Sequence, residues 1–147
     1  MFEDEWDIRK EQCKALLKQY LVKEKAKSAN LAVVSIDETT ALDFFKSNSI
    51  EILPEMSSRN YALVDSASKK VLLVATGYQF NGSYALMSFC QTKDISANNI
   101  LSIFLHRFKD MAKNQRIVLK NDRRWPLVST KELQLTKTTQ CHRWLIE

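Results

Sequence analysis

Between residues 60 and 113 the chain alternates short β-branched apolar runs with polar turn material, in an order that leaves few folds open. Residues 61–64 (Tyr61, Ala62, Leu63, Val64) and 71–76 (Val71, Leu72, Leu73, Val74, Ala75, Thr76) read as strands, with the polar stretch 65–70 as the turn between them. Asn81-Gly82 then suits a two-residue type I′ turn, whose central residues both need positive φ. Beyond it, residues 83–90 alternate well enough for a half-buried strand. Three antiparallel strands in a meander are predicted. A helix follows over 98–113, with Asp94 and Ser96 as candidate N-caps. Its apolar stripe is Ile100, Leu101, Phe104, Leu105, Phe108, Met111 and Ala112, and Ser102, His106, Lys109, Asp110 and Lys113 fall on the other side. Such a helix lies across one face of the meander and packs its Phe residues into the core.

The chain has only two glycines, Gly77 and Gly82, where average usage of about 7% would give roughly ten. Both sit in or beside the predicted hairpin. Neither a G-x-G-x-x-G nor a G-x-x-x-x-G-K-[ST] loop is therefore present, and a standard backbone-lined nucleotide site is not expected. The 147 residues have ordinary globular proportions of apolar and charged side chains, enough for one domain with a real core. No apolar run approaches the ~18–20 residues of a membrane helix, so no membrane partner is expected. The opening is acidic at once (Glu3, Asp4, Glu5, Asp7), unlike a signal or transit peptide. Cys13, Cys90 and Cys141 are odd in number and widely spaced, which suits free thiols in a reduced, cytoplasmic setting.

The remaining segments build out an α/β domain. Residues 4–27 read as one long helix with an apolar stripe of Trp6, Cys13, Leu16, Leu17, Tyr20 and Leu21. Acids crowd its start and Lys23, Lys25 and Lys27 its end, both favourable to the helix dipole. At about 36 Å it exceeds what a compact domain needs, so part of it is expected to project or to pair with a second copy as a homodimer. The polar stretch 25–30 divides this N-terminal helix, residues 1–29, from a single α/β domain over 30–147. That domain opens with a strand over 31–36 and a brief helix over 41–46, capped by Asp37 or Thr39. Residues 50–53 suit an edge strand stopped by Pro54. Toward the end, 116–120 reads as a strand, 121–126 as an exposed turn, 129–132 as a capping box and 138–146 as a last strand. The predicted architecture is a mixed, mainly antiparallel sheet of five to seven strands.

Charge is the most uneven property of the chain. Residues 107–147 carry ten Lys/Arg against four Asp/Glu, a net of +6, while residues 1–106 net −1. Clustered positive charge points to nucleic acid or an acidic protein as partner. Within it, Arg123-Arg124-Trp125-Pro126 sets two guanidinium groups beside an indole, a combination suited to holding phosphate and stacking a base. Lys120, Lys131 and Arg143 are expected to join Arg123, Arg124 and Trp125 in one binding surface. Nucleophilic chemistry finds less support. Cys141 and His142 are adjacent on a predicted strand and so point to opposite faces, which leaves Cys90 with His106 or His142 as the remaining Cys–His pairings. The scattered His and Cys do not make a zinc site.

The predicted order (strand 31–36, helix 41–46, meander 61–90, helix 98–113, strand 116–120, last strand 138–146) resembles the GNAT acyltransferase fold over residues 30–147. In that family the turn from the fourth strand into the long helix carries [QR]-x-x-G-x-[GA], and its backbone amides hold the pyrophosphate of acyl-CoA. The matching stretch is Gln91-Thr92-Lys93-Asp94-Ile95-Ser96-Ala97, with Asp94 at the first glycine position and Ser96 at the second small one. The resemblance implies a V-shaped opening between strands 83–90 and 116–120, and acetyl-CoA held around Gln91, Thr92, Lys93, Ser96 and Ala97. Two functions thus stand as expectations. One is a non-enzymatic binding module that uses the basic third and no cofactor. The alternative is a GNAT-like N-acyltransferase with a degenerate pyrophosphate loop.

Overall fold

A computed structural model describes residues 3–21, 26, 30–50, 56–95, 97, 99–113 and 115–120. Two short helices, α1 (Glu3–Ile8) and α2 (Lys10–Leu21), precede β1 (Leu31–Ile36), α3 (Glu38–Asn48), β2 (Arg59–Asp65), β3 (Val71–Phe80), β4 (Ser83–Gln91), α4 (Ile100–Met111) and β5 (Arg116–Leu119). The five described strands form one open sheet in the order β1-β2-β3-β4-β5. The first three pairings are antiparallel, and β4 pairs with β5 in parallel, as the α4 crossover between them requires.

The central meander forms as its sequence predicts. Asn81 has φ 46° and Gly82 φ 73°, the two positive values a type I′ turn demands. The β3–β4 register shifts between Thr76 and Gly77, where Thr76 opposes Ser88 and Gly77 opposes Leu86. At this bulge the two backbones come close: a Cβ built on Gly77 would meet the Ala85 carbonyl oxygen at 2.1 Å. Both glycines are thus required by backbone geometry, one by φ and one by proximity.

Two layers of apolar side chains cover the sheet. On one face α4 buries Ile100, Phe104, Phe108 and Ala112, a strict four-residue repeat, against Leu31, Tyr61, Leu63, Ala75 and Leu86. The rings of Tyr61 and Tyr84 meet Phe108 edge-on, with centroids 4.9 and 5.2 Å away. On the opposite face α3 sets Ala41 and Phe45 on Ala62, Val74 and Cys90. The Asp37 side chain caps α3 by accepting the Thr40 N–H at 2.8 Å.

Three expectations need correction. The single helix over 4–27 is two helices among its described residues, broken at Arg9. Arg9 Nη1 donates to the carbonyls of Phe45, Lys46 and Ser49 at 2.9–3.1 Å, and Gln12 adds a bond to Lys46. These carbonyls lie at the C-terminal end of α3, where the helix dipole favours a cation. The second helix is thereby held against α3, and Cys13 is fully buried. The 98–113 helix begins at Ile100 with Asn99, not Asp94, at its N-cap position, and Ser96 lies outside the described residues. Its N-cap residue, Asn99, uses its amide to pair both backbone groups of Ala26, at 2.7 and 3.0 Å. The brief helix over 41–46 runs longer, from Glu38 to Asn48, because Asp37 fixes an earlier start and the Ser49 N–H closes its end on Phe45. The expected edge strand over 50–53 and everything from 121 onward lie outside the described residues, apart from Ile50, which is a bend.

Candidate functional site

Gln91, the last residue of β4, opens the loop that leads to α4. Its side chain is turned inward, and Nε2 donates to the carbonyls of Ile95 and Ala97 at 3.0 and 2.9 Å. One amide thus braces the whole loop from within. Thr92 is buried, its N–H bonded to the Leu72 carbonyl at 2.8 Å. The Lys93 N–H donates to Asn48 Oδ1 at 2.9 Å, which ties the loop to the end of α3. The Asp94 N–H reaches Thr92 Oγ1 at 3.4 Å. Ala97 is buried in the α4-side core, and Ser96 lies outside the described residues.

This geometry bears directly on an anion at the loop. A backbone grip needs amide hydrogens directed outward, and the three successive amides of Thr92, Lys93 and Asp94 all point to protein acceptors. The exposed Asp94 carboxylate adds a negative charge at the same place. In this arrangement the amides of Thr92, Lys93 and Asp94 are engaged within the protein.

Of the basic surface expected from the sequence, Lys120 is described. It follows β5, lies exposed, and donates its N–H to the Leu86 carbonyl at 3.0 Å. Arg123, Arg124, Trp125, Lys131 and Arg143 lie outside the described residues, as do Cys141 and His142. The Cys90–His106 pairing is excluded by topology. Cys90 is buried under α3, whereas His106 is on the solvent side of α4, across the sheet. Among the described residues no group of His, Cys, Asp and Glu is arranged to hold a metal ion, and no helix is long and apolar enough to cross a membrane.

The face that α3 covers is not covered along its whole length. Cross-strand partners share a face, so Phe80, Ser83 and Arg116 form one row and Tyr78, Ala85 and Val118 the next. Toward α3 the following row is Asn60, Thr76 and Ser88, all buried and polar. Thr76 is tied to the chain at Ser57, whose N–H it accepts at 2.9 Å. Beyond this polar row the face opens: Tyr78, Phe80 and Val118 are 44%, 64% and 39% exposed. Sequence reasoning overlooked these residues, although the alternation of 78 and 80 with 77 and 79 was available to place them together.

Compared with protein-family models, with curated proteins and with solved structures, the chain gives no match.

Proposed function

We propose that this chain is a non-enzymatic binding module that holds an anionic partner, nucleic acid or an acidic protein surface, with side chains rather than backbone. Lys120, Arg123, Arg124, Trp125, Lys131 and Arg143 are the contacting set, drawn from the third of the chain that carries the entire positive excess. The observation that carries this proposal is the internal bonding of the amides at Thr92, Lys93 and Asp94. With these three amides engaged inside the protein, lysine and arginine side chains are the groups proposed to meet the charge. Binding to an oligonucleotide should weaken steeply with salt, and Arg123→Ala with Arg124→Ala should both lower affinity and flatten the salt slope. Affinity that is indifferent to salt, or to that double substitution, would exclude the proposal.

A second function, the GNAT-like acyltransferase, has a specific observation in its favour. The sheet is antiparallel except for β4 and β5, which flank α4, and their pairing stops at Leu86 and Leu119. Among the described residues, 87–91 of β4 have a partner strand only on the β3 side. That order and that one parallel pairing are what the resemblance implies, although Arg116–Leu119 are all paired with Ser83–Leu86 rather than splayed from them. Acetyl-CoA would need the 92–94 amides released from their present partners. A rise in melting temperature on adding acetyl-CoA supports this second function, and none is expected under the first.

A further inference from the structure

The open end of the sheet combines rings and cations in a way that names a ligand. Tyr78 and Phe80 are two residues apart on β3 and project from the same face, so their rings stand about 7 Å apart along the strand. Arg116 lies in the Phe80 row, two strands away at about 10 Å, and Lys120 follows on the same side of β5. Between them β4 contributes only the small residues Ser83 and Ala85. None of these side chains is acidic. The result is a shallow surface with two flat apolar rings on one edge and positive charge on the other.

A duplex hides its bases inside the stack and gives exposed rings nothing to lie against. A single strand offers bases to one side and phosphates to the other, the same division that this surface makes. The small Ser83 and Ala85 leave room for the sugar backbone to cross from ring to cation. Building on the proposed binding function, we infer that single-stranded nucleic acid docks here. Successive bases stack on Tyr78 and Phe80, and a phosphate is held by Arg116, with Lys120 about 13 Å further along the chain to meet another.

The test is fluorescence anisotropy of the full chain with labelled oligo-dT, oligo-U and a duplex of equal length, at several salt concentrations. Either single strand is expected to bind more tightly than the duplex. Tyr78→Ala and Phe80→Ala should each weaken binding roughly ten-fold. Tyr78→Leu and Phe80→Leu keep apolar area and strand propensity but lack a stacking ring, and should lose about as much. Arg116→Ala should make the slope of log affinity against log salt shallower by about 0.7. Melting temperatures of the variants check that the sheet is intact. If the parent chain binds and the ring variants bind equally well, this surface is not the site, while the broader binding function stands. Full binding by the leucine variants, with loss only in the alanine ones, would mean an apolar docking surface instead and would overturn the stacking inference. Equal or tighter binding of the duplex also overturns it. If the parent chain binds no nucleic acid at all, this inference and the nucleic-acid arm of the proposed function fall together, leaving an acidic protein as the partner to seek.

Discussion

Substituting Gly77 by alanine should open the central hairpin. The added Cβ would be 2.1 Å from the Ala85 carbonyl oxygen, 2.9 Å from its carbon and 3.0 Å from the Leu86 Cα, all of them backbone atoms. Ordinary carbon–oxygen contacts in sheets are about 3.3–3.6 Å, so β3 and β4 must part by about 1 Å at the bulge. No side chain can swing aside to relieve this. Overpacking of this kind costs about 1–3 kcal/mol, and weakening one or two ladder hydrogen bonds adds about 0.5–1.5 kcal/mol each. Reduced freedom of the unfolded chain returns about 0.4–1 kcal/mol. The net is a loss of about 2–4 kcal/mol, a large part of the 5–15 kcal/mol typical of a domain. Urea denaturation followed by far-UV circular dichroism measures it. At a slope of about 1–3 kcal/mol/M the midpoint should fall by about 1–2 M. Gly82→Ala is the control, because nothing lies within 4 Å of its Cβ and only its φ of +73° is at issue. It should cost about 1–2 kcal/mol. A Gly77→Ala variant with an unchanged midpoint, or one milder than Gly82→Ala, would refute the account of the bulge.

Phe104 is fully buried between α4 and the sheet and stacks near Phe108 at 5.6 Å, so Phe104→Ala should lower stability by about 3–5 kcal/mol in the same urea assay. Arg9→Ala removes the bonds that fasten the N-terminal helices to the end of α3. Hydrogen exchange should then speed up in α2 and in the last turn of α3, and leave β2–β4 unchanged. Hydrogen bonds from Thr40, side chain first and then backbone, hold the Asp37 carboxyl below its ordinary value of 3.8. A depressed folded-state value means that its contribution is present above the unfolded pKa and is lost as pH falls through the folded one. Asp37→Asn keeps a capping oxygen that does not titrate, so its melting temperature should fall less steeply than the parent's between about pH 5 and pH 2.

Much of the fold could be read from local signals. The Asn81-Gly82 turn, the β-branched runs beside it, the Asp37 cap and the Ile100–Phe104–Phe108 stripe each act within a few residues of chain, and each formed. What escaped the sequence was set by contacts between distant residues. Nothing near Arg9 announces that its guanidinium will reach carbonyls 36 to 40 residues away and break a helix there. Nothing near Asn99 says that its amide will serve Ala26 instead of capping α4. The 91–97 loop could be compared with a motif letter by letter, but only the structure shows that Leu72, Asn48 and Thr92 engage its amides. Tyr78 and Phe80 fell between the predicted 71–76 strand and the Asn81-Gly82 turn, and β3 in fact runs on through them to Phe80; alternation tells which side chains share a face and not whether a helix covers it. The Arg123-Arg124-Trp125 cluster was read from composition and order alone and lies outside the described residues.

The most direct test of whether side chains or backbone amides grip the partner is a thermal-shift titration with acetyl-CoA and, separately, with a single-stranded oligonucleotide. The oligonucleotide at 100 times its dissociation constant should add about 2.7 kcal/mol, raising the melting temperature by roughly 5–10 °C, and the shift should shrink as salt is added. Acetyl-CoA should leave the melting temperature where it was. A clear rise with acetyl-CoA, alongside none with the oligonucleotide, would contradict the account.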